Sequence, residues 1–163
     1  MPAVDFSELP ASSRVWIFAS DRPLTGSDAD RLLAEVDQFL AQWKAHGAPL
    51  RSARDWRDDR FLTIGVDPTA EQASGCSIDG LFRGLRQLEQ SLNTHLVGGG
   101  RVFYRDAQGR AQSAPRKEVA SLIDGDTPIY DTSITDARTY RESFVRKAND
   151  SWVRSMLPAQ ASQ

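Results

Sequence analysis

Cys76 sits in Ala73-Ser74-Gly75-Cys76-Ser77-Ile78-Asp79-Gly80, which leads straight into a run of apolar residues at helical spacing. A thiol there would lie beside the unpaired amides and the positive end of a helix. That setting favours a reactive thiolate, and it equally makes a pocket for a phosphate or carboxylate. Gly75 and Gly80 would let a ligand or a second backbone come close. The simpler reading of the same residues has Ser77 capping the helix, Asp79 complementing its dipole and Cys76 packing as a small hydrophobe. Asp79 also argues against a nucleophile, because a carboxylate opposes the charge of a neighbouring thiolate.

A cysteine nucleophile needs a base, and His46 and His95 are the two histidines. His46 closes the first helical segment, within Trp43-Lys44-Ala45-His46-Gly47-Ala48-Pro49-Leu50. Taking both helices to start at one edge of a sheet puts His46 at the edge opposite Cys76. A histidine at a helix C-terminus is also favoured by the dipole alone. Ser20-Asp21-Arg22 follows a strand and precedes a helix, so the same reasoning puts it at the Cys76 edge. Arg22 would there clamp an anionic ligand through two parallel hydrogen bonds, with Asp21 completing a polar cleft. Asp124, Asp126, Asp131 and Asp136 fit no calcium-loop spacing and read as turn residues. No metal or other cofactor is implied.

These residues need elements to position them. Arg14 to Ala19 is a short β-branched and aromatic run that reads as a buried strand. Leu32, Leu33, Val36, Phe39, Leu40 and Trp43 recur at steps of three and four, which predicts a helix of about five turns. Ser27 is its expected N-cap, and Gly47 its stop after His46. Residues 50–66 read as a hairpin about Arg57-Asp58-Asp59, with a strong second strand from Arg60 to Val66. Ile78, Leu81, Phe82, Leu85, Leu88, Leu92 and Leu96 form the face of a second helix, which Gly98-Gly99-Gly100 ends. Further strands are expected over 101–105, 110–113 and 128–134, a short helix over 116–123, and helical turns around Tyr140, Phe144, Trp152 and Met156.

The order over residues 14–105 is β-α-β-β-α-β. It predicts an α+β fold in which two helices cover one face of an antiparallel, ferredoxin-like sheet, extended by a C-terminal strand and helices; a different α+β sheet topology is the alternative, because strand order is not read from one sequence. One domain over 1–157 and a disordered tail over 158–163 are expected.

At 163 residues and 18.1 kDa, with 40% hydrophobic and 26% charged residues, the composition is that of a folded globule. A net charge of -2 from 20 basic and 22 acidic residues argues against a nucleic-acid partner. One cysteine excludes an intramolecular disulfide framework. The acidic start and the lack of a long apolar run point to the cytoplasm, with no membrane partner.

Ser20-Asp21-Arg22, Trp43-x-Ala45-His46-Gly47-x-Pro49-Leu50, Ser74-Gly75-Cys76-Ser77-Ile78-Asp79 and Asp150-Ser151-Trp152 resemble segments of a family of small bacterial proteins often labelled "ABC transporter ATPase". The resemblance covers most of residues 6–155, and it implies segments of interest without a mechanism. The chain holds no G-x-x-x-x-G-K-[ST], so ATP hydrolysis is not expected. Nor does it hold a G-x-S-x-G, H-E-x-x-H or dinucleotide fingerprint. Three functional readings result. One is a module, as monomer or homodimer, that binds a small anion or a partner at Cys76. The second is an enzyme using Cys76 as nucleophile or redox thiol, and the third a structural interaction domain.

Overall fold

The computed structural model describes residues 3–96 and 100–158. In chain order its elements are β1 (Arg14–Ala19), α1 (Gly26–Gln42), β2 (Lys44–Ala45), β3 (Ala48–Pro49), β4 (Ser52–Arg57), β5 (Phe61–Val66) and α2 (Gly75–Leu92). Then come β6 (Arg101–Arg105), β7 (Ala111–Pro115), α3 (Arg116–Val119), β8 (Pro128–Tyr130), α4 (Ala137–Ser143) and β9 (Val145–Lys147). The fold is mixed α+β with antiparallel sheets. It divides into two compact units, Met1–Gly98 with Ser133–Glu142 and Gly99–Thr132 with Ser143–Gln163. Most of the expected tail and two glycines of the 98–100 run lie outside the described residues.

In the first unit, β5 lies between β1 and β4 and runs antiparallel to both. Every residue of β5 is buried, as its Phe-Leu-Thr-Ile-Gly-Val sequence requires of a strand covered on both faces. On one face, Phe18, Leu62, Ile64 and Val66 form a single core with Leu32, Val36 and Leu40 of α1 and Leu81, Leu85 and Leu92 of α2. On the other face a 3-10 turn at Phe6–Glu8 brings Phe6 and Leu9 over Gly65. Asp58 and Asp59 turn the β4–β5 hairpin with φ of 55° and 57°, and the Arg60 amide closes it on the Arg57 carbonyl at 3.1 Å.

The structure overturns three expectations. α1 stops at Gln42, short of His46, because Trp43 leaves the helix in an extended conformation. His46 and Gly47, with φ of 53° and 77°, then make a two-residue turn between β2 and β3, as two positive φ values in a row demand. The N-cap of α1 is Thr25, without a side-chain cap hydrogen bond, and Ser27 lies inside the helix. Third, the strand at 101–105 exists, but it does not join the sheet of β1, β5 and β4. It pairs with β7 and β8 in the four-stranded sheet of the second unit, in the order β7-β6-β8-β9. The physical reason is local. Asp106 accepts from the Gln108 and Arg110 amides at 2.9 Å each and closes a short turn, so β6 finds β7 at a small loop-entropy cost. The outer edge of β1 is met instead by residues 135–138. There Val15 donates to the Thr135 carbonyl at 2.9 Å, and Ala137 and Arg138 donate to Ser13 and Ala11 at 2.8 and 3.0 Å. The second unit has its own core of Val102, Val119, Ile129, Ala148 and Val153.

Candidate functional site

β1 and β5 are antiparallel, with Ala19 opposite Phe61 and Arg14 opposite Val66. The chain therefore leaves β1 at one end of the sheet and leaves β5 at the other. This overturns the expected grouping of residues twice.

Asp21 and Arg22 are not brought to Cys76; they meet the far end of α2. Asp21 accepts from the Thr94 hydroxyl at 2.7 Å and from the His95 amide at 3.2 Å. Burial pushes the Asp21 carboxyl up, but these two hydrogen bonds and the nearby His95 outweigh it and hold the group below its ordinary value. Arg22 donates to the Leu92 carbonyl at 2.7 Å and pairs with Asp28 at 3.3 Å. This end of α2 is closed by Asn93 in the left-handed region, with φ of 51°. The Asp21–Arg22 turn is thus engaged in capping, and His95 lies with it.

His46, expected at the opposite edge, shares a hollow with Cys76. The hollow has a volume of ≈ 420 Å³; Phe39, Trp43, Lys44 and His46 line it from the end of α1 and the β2–β3 hairpin, and Ser74, Cys76, Ser77 and Gly80 from the start of α2. Trp43 sets the spacing between the two walls. Its indole N–H donates to the Ser77 carbonyl at 2.8 Å, and its buried ring meets Trp16 edge-on at 6.0 Å and Phe39 at 5.5 Å.

The start of α2 also differs in detail from its expected form. The N-cap is Ser74, one turn before the expected Ser77. Ser74 Oγ accepts from the Ser77 amide at 3.1 Å, and Ser77 Oγ accepts from the Ser74 amide at 2.7 Å, a reciprocal capping box. The sequence pattern hid this because serine, not glutamate or glutamine, stands at the third helical position. Ser77 is buried and committed to the cap. Asp79 lies past the first turn, where the dipole no longer acts strongly on it. A Cβ built on Gly75 or Gly80 would meet nothing within 4 Å, so no other backbone presses on either glycine. The Gly75 and Cys76 amides are the first two of the helix and stand outside the capping box. The Cys76 side chain is exposed.

Cys76, Ser77 and His46 thus line one hollow, while Gly75 and Asp79 lie beside it on α2 without lining it, and Asp21 and Arg22 do not join them. Lys44 and Trp43 were missed by sequence reasoning. The only signal was the need of a buried indole N–H for an acceptor, since Trp43 otherwise fits the apolar stripe of α1. The hollow holds Lys44 and no carboxylate among its lining residues. A helix start, an ammonium group and an imidazole around one space can hold an anion; a thiol beside an imidazole can also support nucleophilic chemistry. Along the outside of the two helices, Phe39 and Gln42 continue into a groove of ≈ 490 Å³ floored by Val36, Leu81 and Leu85.

Asp124 and Asp136 behave as the turn residues they are expected to be: Asp124 accepts from the Asp126 amide at 2.9 Å and Asp136 from the Thr139 amide at 2.8 Å. Asp131 does not; it is buried and pairs with Arg146 at 3.2 Å. No group of three or more His, Cys, Asp or Glu among the described residues is placed to hold a metal ion. No helix among them is long and apolar enough to cross a membrane. No protein family, curated protein or solved structure matches the chain.

Proposed function

We propose that the chain is a cytoplasmic module that binds a small anion, or an anionic group of a partner, in the hollow between the end of α1 and the start of α2. The observation that carries this reading is the convergence of Lys44, His46 and Cys76, whose amide stands outside the capping box at the start of α2, on one ≈ 420 Å³ space without a carboxylate in its lining. The reading takes in the resemblance to small bacterial proteins labelled "ABC transporter ATPase", without ATP hydrolysis. It also treats the first unit as ferredoxin-like. The order β1-β5-β4 with α1 and α2 supports that, with residues 135–138 at the edge where the fourth strand of such a plan runs.

Thermal unfolding in phosphate against chloride at matched ionic strength tests the binding. Phosphate at 100 times its dissociation constant should stabilise the protein by about 2.7 kcal/mol. It should also protect Cys76 from iodoacetamide, and Lys44→Ala should remove both effects. Equal melting and equal labelling in the two salts overturn the reading.

One observation favours a second reading, an enzyme with Cys76 as nucleophile: the thiol is exposed and His46 lines the same hollow. If the imidazole acts as its base, His46→Ala should slow alkylation of Cys76 by roughly a hundredfold. An unchanged rate removes the enzyme reading and leaves the binding module.

A further inference from the structure

We draw no further inference here: the strongest candidate, the groove between α1 and α2 floored by Val36, Leu81 and Leu85, carries nothing because no feature of the structure shows what covers it.

Discussion

Trp43→Phe separates the hydrogen bond that joins the two walls of the hollow from the packing around it. The phenyl ring keeps the contacts to Trp16 and Phe39 and deletes the donation to the Ser77 carbonyl. That carbonyl belongs to a helix residue and still faces the amide four positions on, so it is not stranded. The loss is then one net hydrogen bond, about 0.5–1.5 kcal/mol. The smaller ring adds about 1 kcal/mol, from roughly 40 Å³ of lost volume at about 24 cal/mol per Å³. Trp43→Ala also forfeits both ring contacts and should cost about 3–5 kcal/mol. Urea unfolding followed by far-UV circular dichroism reads both penalties, provided the denaturant slope is unchanged. The expected order is wild type, then Trp43→Phe at about 2 kcal/mol, then Trp43→Ala. A phenylalanine variant as stable as wild type would show that the indole bond holds nothing. One as damaged as the alanine variant would show that the hydrogen bond, and not the rings, sets the packing.

Other substitutions probe the scaffold. A Cβ at Gly65 would lie 2.5 Å from Leu9 Cδ1 and 3.1 Å from Phe6 Cε2, both on buried side chains. Gly65→Ala should therefore cost about 1–3 kcal/mol in overpacking, less about 0.5–1 kcal/mol from removing a strand glycine. The cost should shrink in a Leu9→Ala background, and a rise in stability in the wild-type background would contradict the close approach. Ser74→Ala and Ser77→Ala should each cost about 1 kcal/mol, with a double variant that costs less than the sum, because the two hydroxyls form one reciprocal cap. Strict additivity in urea titrations would mean two independent caps. The Thr69 hydroxyl, against the opposing pull of burial, then the Thr69 amide and Arg51, hold the Asp67 carboxyl below its ordinary value. A depressed carboxylate contributes stability that is present above its unfolded pKa of about 3.9 and is lost as the pH falls through the lower folded value. Urea midpoints should thus drop below about pH 4, and drop less in Asp67→Asn; identical pH slopes would remove Asp67 from the account.

Local elements were legible where side-chain pattern alone decides them. The β-branched and aromatic runs at 14–19 and 61–66 form strands, and the three-and-four spacing of Leu32, Val36 and Leu40 and of Leu81, Leu85 and Leu92 forms helices. Pairing escaped. Nothing in Arg101–Arg105 says that β7 and β8, and not β1, will be its neighbours, because the choice rests on the Asp106 turn and on the segment that reaches the β1 edge. The end of α1 escaped for a related reason. Trp43 fits the helical stripe by type and leaves the helix to reach an acceptor on α2. Cys76 was found because a small-residue segment before an apolar run marks a helix start. Its companions were assigned wrongly because their placement depends on strand direction. Asp21 comes after β1 and Cys76 after β5, and antiparallel strands deliver their outgoing loops to opposite ends of the sheet.

That reversal also determines how changes in the first unit should combine. β1 pairs with β5 over six residues, which puts about 20 Å between the Asp21 turn and the His46–Cys76 hollow. The two regions share no hydrogen-bonded partner among the described residues. Free-energy changes from substitutions in one should add to those from the other within about 0.5 kcal/mol. Each end of the sheet is in that sense free to vary on its own, so the His46–Cys76 hollow could diversify while the capping turn stays fixed.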